Sequence, residues 1–258
     1  MEPVRSQSGC DPSPTLPDLG REPWATGQSG HDEPGHRQPG LDAQKKTVVA
    51  SERDEEARAA WRVQAGREPH DDWTFVDECA THIALTPLYA RAPRGVRAEG
   101  SVPRNYGTKT TLLASLSLQG MGEAFLLQGA ADGTAFEIYI EQILAPSLHP
   151  GQTVVMDNLN THHSERVRQA IEARDCHLLY LPSYSPDLSP IEPAFSKLKT
   201  LLRRKGARTQ EELQQAIAEA LDAITPDDAR GWFTHCGYLA REGEPVFSET
   251  QQFMAQSF

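Results

Sequence analysis

From His177 to Arg204 the chain reads HLLYLPSYSPDLSPIEPAFSKLKTLLRR, a short apolar run, a turn crowded with proline, and an apolar stripe at helical spacing. This strand–turn–helix unit is the tightest constraint on the fold. Pro182 ends the strand, and Ile191, Phe195, Leu198 and Leu202 predict the inward face of the helix. Glu192, Ser196, Lys199 and Arg203 fall on the other side, a carboxylate at the helix mouth with positive charge behind it. Ser189 is placed to cap the helix and Pro190 suits its first position. Ser189 and Glu192 also spell a capping box, so Glu192 taken alone reads as a structural cap.

The preceding chain supplies partners for that strand. Trp73–Ala80, Thr110–Leu118 and Glu123–Gln128 predict strands, the last two joined around Gln119-Gly120-Met121-Gly122 as a hairpin. A helix over Thr134–Leu148 turns Phe136, Ile140, Ile143 and Leu144 inward. Gln152–Met156 predicts a short strand ending in Asp157-Asn158, and Ser164–Arg174 a helix. Beyond Gly206, a Thr209–Glu212 capping box opens a helix to Ile224, and Pro226 starts a shorter one through Trp232 and Phe233. A meander followed by alternating β and α units predicts an α/β fold, a mixed five-stranded sheet flanked by helices.

Around this unit, residues 1–44 are rich in Pro, Gly, Ser and Asp and too poor in aliphatic side chains to bury a core, which predicts a disordered leader. Residues 45–72 form a helical lead-in, with Ser51 as cap and Ala57, Ala60, Trp61 and Val63 on one face. Residues 73–238 form the main domain, and 239–258 a tail without pattern. The net charge of −11 argues against a simple basic nucleic-acid binder. Yet Trp73–Lys205 carries as many bases as acids, and such a segment can present a basic face. Cys10, Cys79, Cys176 and Cys236 show no metal-binding spacing and read as reduced thiols of a cytoplasmic protein. No stretch approaches a membrane span.

Three acids take telling places. Asp77 shares its side of the first strand with Trp73 and Phe75, where a carboxylate is costly unless paired, metal-bound or at an exposed strand end. Asp157 ends the fourth strand, where open α/β sheets place their sites. Glu192 opens the helix after the fifth. If the first and fourth strands are neighbours, the three carboxylates converge. Divalent cations relieve their repulsion, and oxygen ligands suit Mg²⁺ or Mn²⁺. Two such ions about 4 Å apart clamp the attacking and leaving oxygens of a phosphoryl displacement. Glu78 points to the opposite face and is left outside this set.

The segments VDE around Asp77, VVMDNLNTHH around Asp157 and LPSYSPDLSPIEPAFSKLK around Glu192 together resemble the catalytic blocks of DDE transposases, in the bacterial insertion-sequence group related to mariner elements. The 34 residues between Asp157 and Glu192 match a spacing this group uses. The resemblance spans roughly Lys45 to Tyr238. It implies a ribonuclease H-like fold and metal-dependent cleavage of transposon ends with strand transfer into target DNA. It also implies Asp77, Asp157 and Glu192 as catalytic ligands of two Mg²⁺ or Mn²⁺ ions, a homodimer on DNA, and a bacterial cytoplasmic setting. His162 resembles a position that usually holds His in this group, and Lys197, Lys199, Arg203 and Arg204 resemble a DNA-facing helix end, although cations there also suit the helix dipole.

The connection Thr81–Lys109 adds Arg91, Arg94, Arg97, Arg104 and Lys109 against Glu99 alone, suited to a phosphate backbone or simply to solvent. Asn158 either touches a phosphate or forms an Asx turn. Relatives carry helix-turn-helix modules before the catalytic domain, and the leader shows none. That predicts the second-frame product of a split gene, with residues 1–44 partly out of frame and recognition supplied by a separate or frameshift-fused subunit. Two alternatives remain: another ribonuclease H-like nuclease such as a junction resolvase, and a non-catalytic remnant that only binds DNA.

Overall fold

The computed structural model describes residues 50–67, 69–159 and 162–239. Residues 1–49, which include the leader, Glu68, Asn160, Thr161 and the tail from residue 240 lie outside the described residues. The chain divides into units 1–48 and 49–258, and every described residue belongs to the second.

Helix α1 (Glu55–Ala65) leads into β1 (Trp73–Thr81), β2 (Thr110–Ser117) and β3 (Gly120–Gln128). Next comes α2 (Gly133–Tyr139), which continues through a π turn (Ile140–Leu144) into α3 (Ala145–Ser147). The chain then alternates β4 (Thr153–Met156), α4 (Glu165–Glu172), β5 (His177–Tyr180), a 3-10 turn (Pro186–Leu188) and α5 (Ile191–Lys205). Helices α6 (Gln210–Asp222) and α7 (Pro226–His235) complete it. The sheet order is β3-β2-β1-β4-β5, antiparallel through the meander and parallel from β1 to β5. This is the mixed five-stranded sheet that the sequence predicts, a ribonuclease H-like fold.

Both sheet faces are covered. Trp73, Phe75, Leu112, Leu116 and Val155 pack on one side against Trp61 of α1, Ile191, Phe195, Leu198 and Leu202 of α5, Ile217 of α6 and Phe233 of α7. Val76, Leu113, Val154 and Met156 pack on the other against Phe136, Tyr139, Ile140, Leu144, Val167 and Ile171. The alternation along β1 therefore sends odd positions toward α5 and even positions toward α2 and α4.

Local details depart from expectation. Asp54 rather than Ser51 caps α1, its carboxylate accepting the amides of Glu56 and Ala57. The hairpin is tighter than the glycines suggested, because β3 already begins at Gly120, whose φ of 107° glycine adopts readily. The helix over Thr134–Leu148 is interrupted by the π turn just before Pro146, which has no N–H to give to a carbonyl one turn back. The Thr209–Glu212 capping box is formed, and Thr225 and Asp228 make a second at α7.

Candidate active site

The ladder between β1 and β4 ends at Val76 opposite Met156. Asp77, still within β1, and Asp157, just past the end of β4, each follow that last pair, so they project from neighbouring parallel segments at the same level and on the side facing α5. Neighbouring strands lie about 4.8 Å apart. Glu192 comes to the same place on the first turn of α5. The three acids, with Glu78, Asn158, Ser183, Ser185 and Ser189, line one open cleft of about 470 Å³. Among the described residues no lysine or arginine lines it.

The electrostatics follow from that crowding. Burial pushes the Asp77 carboxyl up to about 7, opposed by the Glu78 amide it accepts at 2.7 Å and helped by the charges of Asp157, Glu192 and Glu78. Partial desolvation raises Glu192, Lys199 pulls it down, and Asp157 pushes it up again. Lys199 also bears on the Cys79 thiol, which burial raises.

Beneath the cleft lies His162, fully buried and stacked on Phe136 with ring centroids 4.0 Å apart. Its Nδ1 is in ion-pair contact with Asp157 Oδ1, and among the described residues neither atom finds a hydrogen bond elsewhere. Its Nε2 faces Glu78 Oε2 at 3.4 Å. Burial opposes the imidazolium, but the bonds to Asp157 and Glu78 outweigh it and raise the histidine to about 9. The Tyr180 hydroxyl donates to the His162 carbonyl at 3.0 Å, which fixes the loop from the β5 side.

Glu78 thus corrects the sequence expectation. It does point away from Asp77, but at the end of the sheet His162 bridges its face to Asp157. The capping box at Ser189 and Glu192 is also not formed. Pro190 occupies the cap position of α5 without a side-chain bond, because Ser189 closes the 3-10 turn and only its carbonyl receives the Glu192 amide. The Glu192 carboxylate is thereby left to the cleft.

The other candidates separate. Asn158 lines the cleft, but its amide donates to Ser183 Oγ at 3.1 Å and its carbonyl meets His163 Nε2, so it ties β4 to the turn before α5. Lys197 is engaged by Asp228 of α7. Lys199 stays near Glu192, Arg203 is half-buried and Arg204 exposed on the last turns of α5. Arg91, Arg94, Arg104 and Lys109 are exposed on the β1–β2 connection, outside the cleft.

The donor set fits an oxygen-seeking divalent cation, because four carboxylates line one cleft and, among the described residues, no lysine or arginine lines it. It is not a closed cage: among the described residues no three His, Cys, Asp or Glu side chains are already grouped to hold an ion. Cys79, Cys176 and Cys236 are buried free thiols away from this lining. Among the described residues no helix is long and apolar enough to cross a membrane.

Comparison with known proteins agrees with this architecture. The family model of the DDE superfamily endonucleases matches residues 72–214. The Tc1 transposase of Caenorhabditis elegans is 26% identical over 181 residues, which cover 64% of this chain and 66% of that protein. The Mos1 strand transfer complex aligns with a TM-score of 0.59 and 18% identity, over 77% of this chain and 64% of that one. The Mos1 mariner paired end complex with Mn gives 0.60 and 17%, over 76% and 64%. The catalytic domain of Mos1 mariner transposase gives 0.55 and 15%, over 76% and 94%. The chain spans about two thirds of the length of the Tc1 relative, and the structural likeness is one of fold.

Proposed function

The chain belongs to the DDE superfamily of endonucleases, and on that footing we propose that residues 73–238 are the catalytic unit of a mariner-related, insertion-sequence-type transposase. Its substrates are transposon-end and target DNA, and its ligand acids are Asp77, Asp157 and Glu192. The observation that carries this reading is the projection of Asp77 and Asp157 from adjacent parallel segments at one level, with Glu192 lining the same cleft.

Mg²⁺ or Mn²⁺, as a pair of ions, would supply Lewis acidity to the entering and leaving oxygens of an in-line displacement at phosphorus. The chain's own residues prepare that site. Burial raises the Asp77 carboxyl to about 7, so a cation at this site competes with a proton there. His162 holds Oδ1 of Asp157 from the buried side, while Asp157 itself lines the cleft. Asn158 and Ser183 pin the strand end to the turn that delivers Glu192. Exposed Arg91, Arg94, Arg104 and Lys109, with Arg203 and Arg204 on α5, offer contacts to the DNA backbone. The Mn and paired-end complexes of Mos1 support a divalent ion and DNA as partners here. Site recognition by a helix-turn-helix segment or subunit and action as a homodimer on DNA belong to the same reading, as does a bacterial cytoplasmic setting.

The test is Mn²⁺ titration by calorimetry on the chain and on an Asp77→Asn/Asp157→Asn variant, followed by cleavage and joining assays on labelled duplexes. Saturable binding lost in the variant, with joined products, is expected. Cutting of branched DNA without any joining would instead indicate a resolvase-type nuclease.

A further inference from the structure

Helix α1 contributes no residue to the cleft, yet one of its side chains grips the turn that leads to Glu192 and a second is linked to that turn through Tyr238. Arg58 is 1% exposed and grips Asp187 with both ends of its guanidinium, Nη1 to Oδ1 at 2.9 Å and Nη2 to Oδ2 at 2.6 Å. Asp187 is the middle residue of the 3-10 turn Pro186–Leu188. Trp61 Nε1 donates to the Tyr238 hydroxyl at 3.3 Å, and that hydroxyl donates to the Leu188 carbonyl at 2.6 Å. Two consecutive turn residues are therefore held from the α1 side, one by its carboxylate and the next by its carbonyl.

The turn needs such holding. Neither it nor the start of α5 has a side-chain cap. Its internal bonds are backbone ones, Leu188 to Ser185 and Ser189 to Pro186, both 3.0 Å, and the Glu192 amide hangs on Ser189 at 3.2 Å. Pro186, Ser189 and Glu192 all line the cleft. A bidentate guanidinium–carboxylate pair fixes orientation as well as distance, which a lysine would not.

We propose that Arg58 is a positioning residue of the carboxylate site: through Asp187, and together with the Trp61–Tyr238–Leu188 bonds, it sets the turn that carries Glu192 to Asp77 and Asp157. The inference rests on the carboxylate-site reading given above. It assigns α1 to the working site rather than to a surface packing role.

The experiment compares the full chain with an Arg58→Leu/Asp187→Asn variant, which leaves no buried charge unpaired and so is suited to fold. Arg58→Lys serves as the conservative control. Amide hydrogen exchange without metal and Mn²⁺ titration are read on each, with and without Glu192→Gln. The expected result is faster exchange at residues 188–192 with β1 and β4 unchanged. Mn²⁺ affinity drops about tenfold, as for other supports of metal ligands, and the drop disappears in the Glu192→Gln background. Arg58→Lys falls between. Unchanged exchange at residues 188–192, an unchanged affinity in the folded variant, or an equal loss with Glu192 already replaced overturns the positioning role. If the wild-type chain binds no Mn²⁺ and Asp77→Asn and Asp157→Asn alter nothing, the carboxylate-site reading itself falls and the positioning role with it.

Discussion

His162 meets Asp157 with one ring nitrogen and Glu78 with the other, and so joins two acids that leave the sheet on opposite faces. The histidine is raised to about 9 from 6.5. A group whose folded value is raised contributes stability fully below its unfolded value and loses it as pH rises through the folded one. His162→Phe keeps an aromatic ring against Phe136 and removes the charge. The variant should be less stable than wild type by on the order of 2 kcal/mol at pH 6, with the difference fading by about pH 10. Urea denaturation at the two pH values checks this, and an equal loss at both would sink the ion-pair account.

Asp77 shares the direction of that pH dependence, but here the charged form is the destabilised one. Its folded carboxyl is raised to about 7 from 3.8, so ionising it costs folding free energy. Between about pH 4 and 7 the folded state binds the extra proton, and wild-type stability falls as pH rises through that window. Asp77→Asn should therefore match wild type near pH 4 and exceed it at pH 8 by about 2–4 kcal/mol. The same variant should show no metal-dependent DNA cleavage. Thermal unfolding across that pH range gives the test, and a variant less stable than wild type at pH 8 refutes the burial argument.

Metal and proton compete for the same oxygen at Asp77. Below about pH 7, Mn²⁺ must displace that proton, so affinity should rise roughly tenfold per pH unit from 5.5 and flatten above 7. Calorimetry in buffers of different ionisation heat would also show about one proton released per chain at pH 6. In Asp77→Asn the pH dependence should be largely lost. A profile equally steep in wild type and variant would assign the proton elsewhere.

The legible parts of this molecule were those with local causes. The stripe Ile191, Phe195, Leu198 and Leu202 faces the core because helical spacing alone puts it on one side. Asp77 was recognisable as an acid on the inward side of a strand and Asp157 as the end of another, and the β1–β4 pairing that the site reading required is present. What escaped depends on contacts distant in sequence. Alternation alone excluded Glu78, because it cannot foresee His162 arriving from a loop to bridge both faces. The Ser189–Glu192 pattern predicted a cap, but Ser189 was already committed to the preceding 3-10 turn. The acid-rich start of α1 suggested Ser51 as cap when Asp54 supplies the bonds. No pattern in the sequence announced that Arg58 would find Asp187.

The basic residues allow a last separation, between charges available to DNA and charges already engaged. Lys197 sits on the helix that resembles a DNA-facing surface, but its ammonium is held by Asp228, which also receives the Thr225 amide at the start of α7. Removing Lys197 should thus loosen α5 against α7 and leave DNA binding nearly untouched. Arg91, Arg94 and Arg104 are exposed, and no ion pair among the described residues engages them. Each phosphate contact released on substitution lowers the slope of log affinity against log salt by about 0.9. The triple change Arg91→Ala/Arg94→Ala/Arg104→Ala should flatten that slope by about 2 to 3 on a generic duplex if all three touch phosphate, with little change in melting temperature. Lys197→Ala should lower the melting temperature by a few degrees, since pairs of this kind contribute about 1 kcal/mol or less, and keep the slope. Fluorescence anisotropy at several salt concentrations, beside thermal melts, distinguishes the two sets. A slope change for Lys197→Ala equal to that of a loop arginine would mean that DNA draws the lysine away from Asp228, and that α5 rather than the β1–β2 connection is the principal backbone contact.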